Sequence, residues 1–525
     1  MSATTMGAAA PAEPAVSRRH FAGFMVMVLG MFMAILDIQI VSASISEIQA
    51  GLAASPDEAS WIQTSYLIAE IVMIPLSGFL SRLFSTRVLF TISAAGFTVF
   101  SLLCAMATSL PAMIAFRALQ GFLGGAMIPT VFATAFILFP GPQRTRISVL
   151  IGLTATLAPT IGPTLGGLLT ETFSWHWLFL INVPIGAMVA AVVWATMDID
   201  QGDRRLLDRF DWWGLGFMAV FLGSVEYVME EGPRWDWLED ATVASFAAVA
   251  AVSGVLFFWR AFTSREPIVE LRAYADRNFA IGSVFAFLVG IGLYGAVYLI
   301  PLFLARIRGF NSLQIGEAMF VTGLAMFIAA PITGQLMQRM DIRIVLAAGL
   351  VIMGYALWLT AQLTVLSGPW ELALPLGLRG FGTMMVMVPV NQVALGTLPP
   401  TRLKNASGLY NLMRNLGGAV GLAMINTLVT DRGMAHRLHL AESATWGRIG
   451  ASQWMDSVTG MMGTRMGDAQ AERAALARLS QLVQQQGLVL AYNDVLLVMA
   501  ALFFLAVPLV LLLRKPRADA GAGAH

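Results

Sequence analysis

The chain has 525 residues, of which 12% are charged and 57% hydrophobic, with a net charge of +1 and a mean hydropathy of +0.73. A soluble protein carries about a quarter of its residues as charges, so this mixture cannot cover an aqueous surface and needs lipid as its main solvent. The near-neutral balance excludes the basic footprint of a nucleic-acid binder, and the single cysteine, Cys104, excludes an intramolecular disulfide.

Residues 1–17 are rich in Ala and Pro and too polar for a signal peptide, so a disordered tail is expected there. The apolar run after Arg18, Arg19 and His20 is too long for a signal-peptide core, and no small-residue cleavage site follows it. It is expected to stay as the first span. About 20 helical residues cross a hydrocarbon core, and helices are the spanning element for runs this long. Fourteen such runs are expected, at 21–43, 59–80, 86–108, 111–139, 146–170, 177–197, 212–230, 241–261, 279–304, 315–337, 343–366, 370–398, 405–430 and 488–513. The expected fold class is an all-α polytopic membrane protein of fourteen transmembrane helices.

An even number of spans puts both termini on one side. If that side is the cytoplasm, its tails and loops hold twenty of the 32 Lys and Arg residues, Arg144, Arg265 and Lys404 among them. The short loops opposite hold only Arg234, Arg306 and Arg308. This is the positive-inside distribution. It predicts cytoplasmic termini in a bacterial inner membrane and a long external segment, 431–487. Six more lie in that long segment, where the bias weakens with length, and the last three, Arg117, Arg379 and Arg414, are inside spans.

The chain also repeats itself. Gly78 precedes Arg87 by nine residues after span 2, and Gly334 precedes Arg343 by nine after span 10. Span 4 carries Pro111 and Arg117-Ala-Leu-Gln-Gly121; span 12 carries Pro375 and Arg379-Gly-Phe-Gly382. Span 5 holds Gly162, Gly166 and Gly167, and span 13 holds Gly417, Gly418 and Gly421. If spans 7 and 8 are an insertion, spans 1–6 align with spans 9–14 as two six-helix halves. The expected organisation is an N-terminal half over 18–200, an insertion with its flanking loops over 201–277, a C-terminal half over 278–513 and a cytoplasmic tail over 514–525. A parallel repeat of this kind places a midplane site between halves that rock alternately.

The same residues carry a family resemblance over nearly the whole chain. The sequence resembles the major facilitator superfamily, specifically the fourteen-helix drug:proton antiporters of the EmrB/QacA type and their EmrB-like subgroup. Met33-Ala-Ile-Leu-Asp37-Ile-Gln-Ile-Val41 is similar to their membrane-embedded aspartate motif, and Arg117-Ala-Leu-Gln-Gly-Phe-Leu-Gly-Gly125 to their span-4 arginine motif. Gly152 through Gly162-Pro-Thr-Leu-Gly-Gly167 resembles the antiporter motif, and Trp175-His-Trp-Leu-Phe-Leu-Ile-Asn-Val-Pro-Ile-Gly186 a signature of the subfamily. One motif departs: Arg82 stands where the family usually has an acid, so its acid–helix-dipole lock is not carried over to this loop.

Asp37 lies well inside span 1, where a carboxylate costs about 2.5–3.5 kcal/mol on insertion scales. It shares a helix face with Gly30, Ala34, Val41 and Ser44, and this small-residue face is expected to meet the central cavity. A carboxyl that meets a dry wall in one conformation and an arginine in another becomes a proton carrier; the alternative is a static, satisfied charge. Glu70, mid-span, is a second proton site, a recognition point for cationic substrates or a structural hydrogen-bonded acid. Arg117 shares a face with Gln120, Gly121, Gly124 and Gly125 and needs an acid or carbonyl partner, because guanidinium stays charged. The resemblance implies a part in a proton relay near Asp37; the alternative is helix bracing.

Gln120, Arg379 and Arg414 are candidates for the substrate cavity or for bracing; bracing is preferred for Arg379, and Arg414 stays undecided. Gly78, Arg87 and Gly121 belong to the repeated conformational motifs. Gly162, Pro163, Gly166 and Gly167 permit close helix contact and a bend, which the resemblance reads as a hinge favouring exchange. Glu226 and Asp494 are expected at membrane interfaces. His436 and His439 have only a superficial metal spacing, with no further His or Cys nearby in sequence, so no metal or cofactor is expected.

The function expected from these features is proton-coupled efflux of hydrophobic or amphipathic toxic compounds by alternating access. No G-x-x-x-x-G-K-[ST] sequence occurs, so the membrane potential, at about 2.3 kcal/mol per charge per 100 mV, is the expected drive. The alternatives are export of a particular metabolite, fatty acid or lipid, and a polytopic membrane enzyme, for which no loop carries a converging catalytic cluster. Segment 431–487 is too long for a structureless loop. Within it Ala475, Leu476, Leu479, Leu482 and Val483 form a stripe that predicts a helix over 468–486 continuing from span 14, and Trp446 and Trp454 are amphipathic anchors before it. That helix either lies on the outer leaflet or docks a partner. The EmrB-like resemblance implies a periplasmic membrane-fusion protein and an outer-membrane channel.

Overall fold

A computed structural model describes residues 16–139, 141–264, 267–444, 448–464 and 466–514; Arg265, Trp446 and most of both expected tails lie outside the described residues. Among these the structure is helical without strands, as backbone polarity requires of a chain immersed in lipid. Fourteen helices are long and apolar enough to span a membrane: α1 (Arg18–Ala43), α2 (Trp61–Phe84), α3 (Thr86–Ala105), α4 (Leu110–Leu138), α5 (Gln143–Thr172), α6 (Trp177–Thr196), α7 (Trp212–Arg234), α8 (Ala241–Thr263), α9 (Arg277–Arg308), α10 (Gln314–Arg339), α11 (Ile342–Thr360), α12 (Pro369–Gly396), α13 (Thr401–Ser443) and α14 (Asp468–Leu512). Local chemistry sets their ends. Ser17 caps α1 by accepting from the Arg19 amide at 3.2 Å, and Asp276 caps α9 by accepting from the Phe279 amide at 2.8 Å. Within α4, Gly125 and Ala126 separate two helical segments, Leu110–Gly124 and Met127–Leu138.

Helix pairing repeats eight spans apart. In the first half α1 packs on α5 and α6, α2 on α4, and α3 on α4 and α6. In the second, α9 packs on α13 and α14, α10 on α12, and α11 on α12 and α14. The contacts between halves obey the same relation, since α2 meets α13 as α10 meets α5, and α4 meets α13 as α12 meets α5. Small residues allow these approaches without a hydrophobic driving force between helices. On α4, a Cβ at Gly121 would lie 3.0 Å from the Tyr66 carbonyl carbon of α2.

The inserted pair is unequal. α7 packs on α8 but also on α2 and α13, so it bridges the halves along one flank. α8 packs chiefly on α7 and leaves Val252, Val255 and Phe262 exposed to the lipid.

The described residues of segment 431–487 are mostly helical rather than a loop. α13 continues to Ser443, a separate helix runs Ile449–Gly463, and α14 begins at Asp468, as the apolar stripe predicts. The long helices go on packing beyond the expected spans because Gly487 lets the backbones close; a Cβ there would meet the Arg437 amide nitrogen at 3.1 Å. Asp494 lies between these helices, 2.8 Å from His436 Nε2 and 3.9 Å from Arg432 Nε.

Candidate functional site

Three polar constructions interrupt the apolar interior. The first is built on Asp37, which α1 buries completely. Its Oδ2 accepts from Arg117 Nη1 at 2.6 Å; its Oδ1 accepts from Asn182 Nδ2 at 2.7 Å and from Gln120 Nε2 at 3.2 Å. Arg117, equally buried, also donates from Nη1 to Gln120 Oε1 at 2.8 Å and from Nε to the Ile62 carbonyl at 3.2 Å, and its guanidinium lies 4.2 Å from the Tyr66 ring centre. Asn182 donates onward to Ser101 Oγ at 3.2 Å. Charge-assisted bonds of this kind are the strong ones in a dry interior, and they tie α1, α2, α3, α4 and α6 together.

The placement corrects one expectation. Asp37 does not line the central cavity; its face turns into the N-terminal half, where its donors lie and where Gly30 meets Val189 and Phe90. A different face of the same stretch of α1, with Ile38, Gln39 and Ser42, lines the cavity instead. Asn182 carries the missed part of this site. Its sequence signals are its place in the Trp175–Gly186 signature and an amide inside the apolar run Leu178–Pro184.

The second construction is that cavity, of about 570 Å³, between α1, α2, α5 and α7 on one side and α9, α10 and α13 on the other. Its lining reaches Ala43 at the end of α1, Glu171 near the end of α5 and Asn311 before α10, so it lies towards the face opposite the termini. Glu70 and Pro163 line it, as do Glu226 and Glu230 of α7. Glu226 is thus a buried cavity residue rather than an interfacial one, because α7 packs between α2 and α13 and turns this face inward.

The third construction closes the side of the termini. Lys404 of α13 pairs with Asp200, in the segment after α6, and donates to the Ser81 carbonyl of α2 at 3.0 Å. Asp200 also accepts from the Thr86 amide at the start of α3, at 3.0 Å. Gly78 makes this contact possible: a Cβ there would meet the Asn405 Cα at 2.8 Å. Arg87 pairs with Asp198 at 3.7 Å. Nearby, Ser407 Oγ donates to the Pro129 carbonyl of α4 at 2.9 Å.

Gln120, Arg379 and Arg414 line no part of the central cavity. Arg379 donates from Nη2 to Thr322 Oγ1 at 3.2 Å and forms no ion pair among the described residues, a bracing geometry between α12 and α10. Arg414 is buried, 5.4 Å from the Phe132 ring centre, with Nε and Nη1 lacking hydrogen-bond partners among the described residues. In α5, a Cβ at Gly166 would lie 2.9 Å from the Ile40 carbonyl oxygen and Gly162 closes on Gln39, so these two glycines serve close α1–α5 packing, and Gly167 is half-buried.

Comparison with known proteins agrees with this architecture. Residues 27–422 match the family model described as Major Facilitator Superfamily. The chain is 42% identical over 491 residues to the colistin resistance protein EmrB of Acinetobacter baumannii, covering 93% of this chain and 95% of that protein. It is 28% identical to the multidrug export protein EmrB of Escherichia coli over 95% of this chain and 96% of the other, and 28% identical, with the same coverage, to the fatty acid resistance protein FarB of Neisseria gonorrhoeae. Among solved structures, the human organic anion transporter MFSD10 superposes with a TM-score of 0.57 at 14% identity, covering 94% of this chain and 100% of that one. Fourteen spans in a doubled pairing pattern, and relatives that are named exporters along nearly their whole length, make this chain a multi-pass efflux transporter that belongs to the Major Facilitator Superfamily, within its EmrB-like group.

Proposed function

We propose that the protein exports hydrophobic or amphipathic toxic compounds across a bacterial inner membrane in exchange for protons, working as the permease of an assembly with a periplasmic membrane-fusion protein and an outer-membrane channel. The observation that carries the reading is the Asp37–Arg117 ion pair, fully buried in one half and directly beside Ile38 and Gln39, residues of α1 that line the cavity. A proton reaching Asp37 converts the carboxylate to the acid and removes the counter-charge of Arg117. Gln120 Oε1, the Ile62 carbonyl and the Tyr66 ring are in place to hold the guanidinium afterwards. The ties of α1 to α4 and α6 weaken in that step, so the N-terminal half can rock against the C-terminal half. Release of the proton on the side of the termini restores the pair. With the termini cytoplasmic, the closed seal at Lys404 and the cavity towards the other face support an outward-facing state of the cycle.

The test is substrate-induced proton release from everted vesicles, across a panel of dyes, detergents and fatty acids. Asp37→Asn keeps the size of the side chain and removes its titration. It is expected to abolish coupled transport while the variant remains folded in the membrane; undiminished proton-driven efflux would remove Asp37 from the mechanism.

A further inference from the structure

We propose that the inserted helix α7 gives the exporter its recognition site for positively charged amphiphiles: Glu226 and Glu230, with Glu70 of α2, form an acidic wall that takes an organic cation. The proposal rests on the exporter reading for its setting and names what the cavity recognises.

The cavity lining includes four carboxylates, Glu70, Glu171, Glu226 and Glu230, and among the described residues it includes no Lys, Arg or His. Two of the four are not satisfied by the protein. Glu70 is 2% exposed and Glu226 5% exposed, yet Glu70 Oε1 and Glu226 Oε2 have no hydrogen-bond partner among the described residues. A buried polar atom left without a partner is costly, and an ionised one more so.

Most nearby cations are engaged or peripheral. Arg117 is paired with Asp37, and Arg234 lies 4.0 Å from Glu231, which is further held by Thr64 and Trp235. Arg306 acts on Tyr298 but is exposed. The exception is Arg414, buried beside Phe132 with Nε and Nη1 unpaired among the described residues, and it acts on Glu70 rather than on the two acids of α7. The charged groups that act on Glu226 are Glu230 and Glu70, and the one that acts on Glu230 is Glu231, all acidic. Glu226 and Glu230 are four residues apart, one above the other on a helix face, where like charges repel. A cation between them removes the repulsion and supplies the missing partner.

The remaining lining suits the rest of such a molecule. Tyr294 and Tyr298 offer ring faces for an ammonium, guanidinium or phosphonium group, while Leu67, Met229 and Leu422 offer an apolar wall. A cavity of about 570 Å³ accommodates one drug-sized molecule. Without α7 the cavity would keep Glu70 and lose both Glu226 and Glu230.

The experiment measures equilibrium binding to the full chain in detergent, by quenching of tryptophan fluorescence. The probes are tetraphenylphosphonium and a neutral control of similar shape, triphenylphosphine oxide. The double variant Glu226→Gln, Glu230→Gln is expected to bind the cation about tenfold or more weakly and the neutral probe as wild type does. Glu226→Asp, which keeps the charge, is expected to retain most of the cation affinity. Unchanged cation binding in the double variant, or an equal loss for both probes, would overturn the proposal. Binding does not require coupling, so wild-type protein that binds the cation selectively but shows no proton-driven transport would support this site and count against the exporter reading.

Discussion

Asp200 and Lys404 join the two halves on the side of the termini, and each is fixed by the backbone of a neighbouring helix: Asp200 at the Thr86 amide, Lys404 at the Ser81 carbonyl. Arg82 occupies the position where the family resemblance leads one to expect an acid, and the structure draws an acid from elsewhere. Asp200, beyond the end of α6, reaches the start of α3 and supplies a negative charge at a helix N-terminus. Lys404→Gln would keep the reach of the side chain and remove its charge. A partly exposed ion pair contributes roughly 1 kcal/mol, so the closed state should lose about fivefold in population. Reaction of Asn405→Cys with a thiol reagent, in a Cys104→Ala background, should speed up by that factor. An unchanged rate would show that helix packing alone holds the seal.

Asn182 should matter to coupling nearly as much as the charged residues it serves. Its 2.7 Å bond to Asp37 is buried, and hydrogen bonds to charged groups contribute about 1.5–3 kcal/mol. Asn182→Leu is expected to lower proton-coupled transport by about tenfold or more, with little change in the amount of folded protein. Wild-type transport in this variant would reduce Asn182 to a packing residue.

The difference between what sequence revealed and what it hid has a physical basis at each position. The spans were legible because lipid demands long apolar runs, and Asp37 and Arg117 stood out because a charge inside such a run is expensive. The resemblance implies that the two lie near each other, but the fold is needed to establish the pair. Asn182 lies in the Trp175–Gly186 signature, but it carries no charge, so nothing there singles it out as the partner of Asp37. Asp200 sits in a polar segment where an acid is ordinary. Distance along α7 points Glu226 to an interface, whereas its actual surroundings depend on α7 packing between α2 and α13, a tertiary fact. The helical extension of α14 was legible in its apolar stripe; that of α13 was hidden, because its partner surface lies on α14.

Arg117 uses several directions at once, towards Asp37, Gln120, the Ile62 carbonyl and the Tyr66 ring. A lysine ammonium can satisfy the carboxylate but not the planar stacking and the fixed fork. Arg117→Lys is therefore expected to stay folded, because the buried charge keeps a counter-charge, and to lose most coupled transport in vesicles. Full activity would favour simple bracing of α4 against α1.

The orientation can be tested independently of transport. With cytoplasmic termini, a cysteine placed at Arg339, on the exposed terminus-side end of α10, should resist a membrane-impermeant thiol reagent in intact cells and react after permeabilisation. A cysteine at Met461, 70% exposed in the helix between α13 and α14, should react in both. The reverse pattern would invert the topology and with it the outward-facing assignment.

The paired extensions of α13 and α14 offer a test of partner docking. From Asp468 to the expected start of span 14, α14 runs without interruption, roughly 28 Å at 1.5 Å per residue. A helix continuous with a span leaves along the direction of that span, which favours a projecting hairpin over a helix lying flat on the leaflet. The helix Ile449–Gly463 packs on α14 through Met455 and leaves Ile449 and Met461 exposed near the tip. Replacing 444–467 with a short flexible linker would remove this helix while keeping the α13–α14 contacts at Gly487 and His436. Proton-coupled transport in vesicles should survive, since the replaced segment touches neither the cavity nor Asp37. Export from whole cells should fall severalfold if the tip meets a membrane-fusion partner. Equal resistance in cells carrying either version would remove the docking role and leave the hairpin as a stabilising extension of the C-terminal half.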